Sequence, residues 1–447
     1  MEKEETEAGM KNEKTVFKRW AQNLGLLFGS VILILLFFEI GVRIFSPQFP
    51  LELKGLYKSD PVLNIRVVPN YNRKNRCQEY STLIQTNSIG LRDREYPEHD
   101  LAHFRILVLG DSFTFGIGVN LEDTYLKVLE KRLNEEYPGK KFEVINCGVP
   151  GVGTDYEYHF LKDIGIRFKP DLVLVGFFIG NDVSDTIFGH DLIEIKDGML
   201  WYKKKMSQDF RLSPYQKKRK EAFLNALKNY QIRKSLQAEG KGLVRRLIDR
   251  IEQDLVSILE PPKNFLRNNS HAYLFLCYRY NLIRERLFGT NLSPFPEFRN
   301  FLNRYGYGMY RVKYPKDLEE AWALTNSWLK KIDQLAKTWG GKSVIVVIPS
   351  PNQVHADPLS IEGNRSANES NLFDFEKPQK VIKAFGDENG IPVCDLLPIF
   401  KEVGKRERLY YRYNLHWNKN GHRLAGLLIY KKLKADRLLP ERDKVKQ

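Results

Sequence analysis

The chain has 447 residues, 42% hydrophobic and 28% charged, and its 71 Lys and Arg against 55 Asp and Glu give a net charge of +16. That length and apolar content sustain a full core in one enlarged domain and exclude a disordered chain or a small disulfide-stapled fold. The basic excess gathers in residues 201–250, at Lys203-Lys204-Lys205 and Lys217-Lys218-Arg219-Lys220, with no nucleic-acid-binding motif. A solvated helical face accounts for it, or a surface for anionic lipid headgroups or an acidic glycan; no nucleic-acid partner is expected.

In chain order, residues 1–20 read as a charged cytoplasmic tail, disordered over 1–16, and 21–45 as a transmembrane helix. The run Leu24 to Phe38 is almost wholly apolar and continues to Phe45, enough to cross about 30 Å of hydrocarbon. No small-x-small cleavage site follows, which favours a retained anchor over a signal peptide. Lys11, Lys14, Lys18 and Arg19 precede the span, so the N-terminus is expected in the cytoplasm of a single-pass inner or plasma membrane protein, with the remainder outside. Glu39 and Arg43, an i, i+4 pair, interrupt the far end where long side chains reach the interface.

Residues 46–104 are punctuated by Pro and Asn between short extended runs, a β-rich collar in which Arg92 is structural rather than substrate-binding. Two stretches, 105–190 and 340–437, then carry the core. Strand 105–110 precedes a helix near 123–137, strand 142–146 precedes a helix opening at Thr154-Asp155, and strand 171–179 ends near Asn181. Strand 343–348 follows a helix near 317–338, a short strand covers 392–395, and a last helix runs from about Lys419 to Leu433. This alternation predicts a parallel sheet with right-handed crossovers. Between the halves, 191–339 read as a basic, aromatic, mostly helical insertion ending in a core helix. It is expected to cover the carboxyl edge of the sheet as a cap. Its Tyr273, Phe275, Tyr278, Tyr280 and Phe288 are core residues before they are sugar-stacking ones.

Cys77, Cys147, Cys277 and Cys394 lack metal-type spacing, and no zinc or calcium constellation is present in the sequence. Gly116 and Gly118 follow the Ser turn without a third glycine and are not a dinucleotide fingerprint, so neither a cofactor nor a metal is expected.

Four blocks carry the chemistry. Gly110-Asp111-Ser112 ends the first core strand. Asn146-Cys147-Gly148-Val149-Pro150-Gly151 follows the second, Gly180-Asn181-Asp182 the third, and Asn414-Leu415-His416-Trp417 lies before the last helix. Separate, ordered and each at a strand end or beside the final helix, they resemble the blocks of the SGNH (GDSL-type) hydrolase family, membrane-anchored bacterial type. The resemblance covers about 80–190 and 340–435, and Thr86 to Asp93 resembles a lead-in segment of its membrane-anchored members. It implies a three-layer flavodoxin-like parallel sheet. It implies Ser112 as nucleophile and His416 as general base, with an oxyanion hole from the N–H groups of Ser112 and Gly151 and the amide of Asn181. Asp111 and Asp182 would tie loops. By their own placement in the sequence, His422 caps or packs in the last helix, and Asn352 and Gln353, after strand 343–348, face the same edge of the sheet and are candidates to line the site.

The family places an aspartate where this chain has Asn414. An aspartate both orients the imidazole and stabilises the imidazolium; an amide does only the first. Ser112 and His416 can act as a dyad with Asn414 or a backbone carbonyl orienting the ring, Asp395 can supply the carboxylate, or the site is weakened. The expected function is hydrolysis of O-acyl, chiefly O-acetyl, esters of a cell-envelope or exported polysaccharide. The alternatives are an O-acyltransferase of the same fold and a catalytically weakened glycan-binding protein.

Overall fold

In a computed structural model the protein is described at residues 2–46, 53–77, 79–97, 103–188, 193–196, 198–202, 262, 265–266, 269–288, 308–355, 372–412 and 414–441. The chain forms two units, one of 1–50 with 207–288 and the other of 51–206 with 289–447.

The larger unit is built on a five-stranded parallel sheet: β5 (Phe104–Gly110), β6 (Phe142–Gly148), β7 (Leu172–Phe178), β10 (Lys342–Ile348) and β11 (Val393–Asp395). Their spatial order is β11-β10-β7-β5-β6. Numbered by appearance this is 2-1-3-4-5, the flavodoxin-like order, whose switch point lies between β5 and β7. Because side chains alternate along a strand, the sheet has two apolar faces. Leu107, Leu109, Val173, Val175, Ile345 and Val347 pack on one side with Phe160 and Leu161 of α4 (Thr154–Asp163) and Leu329 and Ile332 of the helix Lys316–Lys337. Ile106, Val108, Leu172, Leu174, Val344 and Val346 pack on the other with Leu126 and Leu129 of α3 (Tyr125–Glu136) and Ala425 and Ile429 of the helix Lys419–Ala435. This three-layer arrangement is the SGNH hydrolase fold.

The collar is two hairpins, β1 (Tyr57–Asp60) with β2 (Asn64–Val67) and β3 (Asn72–Arg76) with β4 (Ser81–Gln85). Leu56, Ile65, Val67 and Ile84 join the first core face. Arg92 is 1% exposed and donates to the carbonyls of Leu83, Phe115, Gly116 and Val119, a structural clamp as expected.

The segment after α5 (Asp182–Phe188) departs from the helical expectation. It forms a hairpin, β8 (Ile193–Lys196) with β9 (Met199–Tyr202), and Tyr57 N–H donates to the Gly198 carbonyl. The run Ile193-Glu194-Ile195-Lys196 has the two-residue alternation of a strand, and Gly198 provides the turn with φ +68. The expected basic face at 203–250 and the cap over the sheet edge fall largely outside the described residues.

In the smaller unit, α1 (Glu2–Phe45) contains a stretch, Lys18–Phe45, long and apolar enough to cross a membrane. Helix extends back to Glu2, where a disordered tail was expected. The tail is rich in Glu and Lys, good helix formers, and is continuous with the apolar run. Glu39 accepts hydrogen bonds from His271 N–H, Ala272 N–H and the Ser270 hydroxyl, capping the helix His271–Phe288, and Phe275 packs edge-on against Phe38. The charge in the apolar run therefore has a helix N-terminus as its partner.

Candidate active site

The switch point between β5 and β7 leaves a crevice at the carboxyl ends of the strands, and the sequence puts its functional blocks there. Gly110 ends β5, and α2 (Ser112–Phe115) begins at once, with Asp111 as its N-cap accepting from Phe113 N–H at 2.9 Å. Asp182 holds the next turn by accepting from Phe178 N–H at 2.8 Å. Both aspartates are fully buried and tie loops, as expected of them. Ser112, Gly151, Asn181, Asn414 and His416 all remain partly exposed.

Ser112 and His416, 304 residues apart, meet at 2.7 Å between Oγ and Nε2. On the other side of the ring, Nδ1 lies 2.6 Å from Asn414 Oδ1 and 3.2 Å from the Asn414 carbonyl. Two oxygens at Nδ1 require the proton there, which leaves Nε2 bare to accept from the Ser112 hydroxyl. Asp111 Oδ2 stands 3.4 Å from the same hydroxyl, a long second acceptor. The imidazole is held by Phe113, at 5.0 Å between centroids, and Phe113 in turn packs on Trp417, which is fully buried. Burial pushes His416 down to about 4, against the opposing hydrogen bond to the Asn414 backbone, so the ring is a neutral base at neutral pH.

Asp395 does not serve as the orienting carboxylate. It accepts from Leu397 N–H at 2.9 Å at the start of the helix Leu397–Gly404, leaving Nδ1 to Asn414. Gln353 is not a site residue either; it is buried, closes a capping box with Ser350 and bonds Phe375 and Gln379. Asn352 lies on that same short turn. His422 packs in the last helix and accepts from Tyr125 N–H at 3.2 Å.

Gly151 has φ +80, a backbone that a side chain would strain, with the Leu200 side chain of β9 beside it. Asn181 Nδ2 donates to Asp185 Oδ2 at 2.9 Å, and the Asn181 side chain also interacts with the buried Asp111 carboxyl. Beneath lie buried carboxyls. Burial pushes Asp111 up to about 6 and raises Glu157, Asp182 and Asp185 well above the usual range, so the last three hold their protons more tightly than Asp111 does.

Sequence reasoning missed the collar's part. Glu79, beside β4, reaches the loop that carries Asn414 and His416: its Oε1 accepts from Arg412 N–H at 2.6 Å and Oε2 from Asn414 N–H at 2.9 Å. No motif marks Glu79 or Tyr80, and only tertiary structure brings them to the site.

The fold and this Ser–His pairing define an SGNH-type hydrolase architecture. Residues 311–446 match the family model described as SGNH hydrolase-like domain, acetyltransferase AlgX. No curated protein sequence matches the chain. Among solved structures, TesA is similar at 13% identity over 75% of this chain and 99% of that one, with a TM-score of 0.35. A lipase/acylhydrolase from Enterococcus faecalis is similar at 13% identity over 76% and 99%, TM-score 0.35. A catalytic mutant of the acetylxylan esterase Axe2 from Geobacillus stearothermophilus is similar at 11% identity over 74% and 93%, TM-score 0.35. The substrates in those names belong to those proteins.

Proposed function

We propose that the protein is a membrane-anchored serine esterase that hydrolyses O-acyl esters, chiefly O-acetyl, of a cell-envelope or exported polysaccharide. The observation that carries this reading is the continuous hydrogen-bonded line Ser112–His416–Asn414, at 2.7 and 2.6 Å. Ser112 Oγ attacks the ester carbonyl as His416 Nε2 takes its proton. The oxyanion is met by the N–H groups of Ser112 and Gly151 and by the Asn181 amide, which turns from its carboxyl partners to do so. Collapse returns the proton to the departing sugar oxygen and leaves acyl-Ser112. Water then repeats the sequence and releases the acid. This chemistry calls for no cofactor. The apolar stretch Lys18–Phe45 supports an anchor, and the basic residues before it support a cytoplasmic N-terminus with the site outside.

A second reading has one observation in its favour: the matching family model is described as an acetyltransferase. There a sugar hydroxyl replaces water at the same acyl-enzyme. The test is aryl acetate hydrolysis by the full-length protein in carbonate-washed membranes. Turnover should remain with the membranes, fall on the order of 10³-fold or more in Ser112→Ala, and rise in Asn414→Asp. Acetyl transfer to a polysaccharide without hydrolysis would select the second reading. Neither activity in folded protein would leave a glycan-binding protein on a hydrolase fold.

A further inference from the structure

An amide in place of the family's aspartate raises an orientation problem that a carboxylate does not have. Either oxygen of a carboxylate accepts from an imidazole N–H, whereas an amide has one accepting and one donating end. Turned over, Asn414 would point N–H groups at Nδ1 and favour the wrong tautomer of His416. The loop carrying it is also strained: Leu415, between Asn414 and His416, has φ +64, uncommon for a branched residue. Something outside the loop has to hold both the backbone and the amide.

We propose that the tip of the β3–β4 hairpin, Glu79 and Tyr80, is the positioning element of the catalytic base, fixing Asn414 so that His416 keeps its proton on Nδ1. This rests on the esterase reading above. Glu79 grips the backbone, with one carboxylate oxygen on Arg412 N–H at 2.6 Å and the other on Asn414 N–H at 2.9 Å. Tyr80 sets the amide, its hydroxyl oxygen accepting from Asn414 Nδ2 at 3.4 Å, which leaves Oδ1 facing His416.

The tip is itself braced. Cys77 N–H donates to the Tyr80 carbonyl at 2.9 Å, and Glu79 N–H donates to the Cys77 sulfur. The Tyr80 hydroxyl oxygen accepts from Asn75 Nδ2 as well, at 3.5 Å. Burial raises the Tyr80 phenol, so it stays neutral. The Tyr80 ring packs on Tyr411, 5.1 Å between centroids, and the Tyr411 hydroxyl donates to the Gly118 carbonyl just beyond α2. The hairpin tip thus joins the base's loop to the nucleophile's turn.

The experiment is Tyr80→Phe in the wild-type and Asn414→Asp backgrounds, in full-length protein, with kcat and KM for an aryl acetate and the His416 ring nitrogens read by ¹⁵N NMR. Tyr80→Phe should lower kcat about tenfold with KM unchanged, and add less than twofold once residue 414 is a carboxylate with no end to misplace. Nitrogen shifts should show Nδ1 protonated in the wild type and a mixture in Tyr80→Phe. Glu79→Ala should behave like Tyr80→Phe, with Glu79→Gln, which keeps one accepting oxygen, partly restored. Equal losses in both backgrounds, or an unchanged tautomer in Tyr80→Phe, would overturn the proposal. The tautomer is read without turnover, so an inactive wild type with the predicted shifts would refute the esterase reading and leave the positioning role standing.

Discussion

At the scale of single residues, the site joins a base with neutral acceptors to a set of carboxyls whose ionisation burial disfavours. The His416 ring gives up solvent and gains only neutral acceptors, so its conjugate acid is disfavoured and its pKa drops to about 4. Only the neutral ring can take the Ser112 proton, so activity should be present above that value and fall as pH drops through it. The acid limb of kcat/KM is predicted near pH 4, well below the usual histidine value of about 6.5. Asn414→Asp places a negative charge on Nδ1, favours the imidazolium and should move the limb upward. A wild-type limb near 6.5 that the substitution leaves in place would contradict this reading of the base. The buried carboxyls have the opposite sign. Asp111, Glu157, Asp182 and Asp185 hold protons more tightly folded than unfolded, so their contribution to stability is present at low pH and lost as pH rises through their raised values.

Among elements, the decisive one is the four-residue helix α2, whose position rests on close backbone contact. A Cβ on Gly148, at the end of β6, would stand against the backbone of Thr114 and Phe115, directly after Ser112. Backbone cannot rotate away as a flexible side chain can, so Gly148→Ala must displace the nucleophile's turn. A shift of about 1 Å can cost on the order of 10² in rate, and that is the loss predicted in kcat, with the circular dichroism spectrum retained. Activity within twofold of wild type would show that the turn is placed by something other than this contact. Arg92 secures the same turn from the collar by its bonds to Phe115 and Gly116. A buried guanidinium that binds only carbonyls reads in sequence like any other arginine.

Across the whole molecule, the elements that were legible in sequence are those whose residues declare themselves locally. The strands β5, β6, β7 and β10 are runs of branched apolar residues, and Ser112, Gly151, Asn181 and His416 sit in blocks at their ends or beside the last helix. The hairpin at 193–202 was lost inside a stretch read by its overall basic, aromatic character, because a four-residue strand offers only two alternations. The choice between Asn414 and Asp395 was open for a different reason, since both stand near the carboxyl edge and only side-chain direction separates them. Glu79 and Tyr80 were invisible because their partners lie more than 330 residues away. What unites these parts in the proposed reading is an activated serine at the switch point of the sheet. The most direct test is to treat the full-length protein with a fluorophosphonate, which forms a stable adduct with an activated serine, and to locate the adduct by peptide mass spectrometry. A single adduct on Ser112, absent after His416→Ala, is the predicted result; no adduct, or one on another residue, would contradict the account.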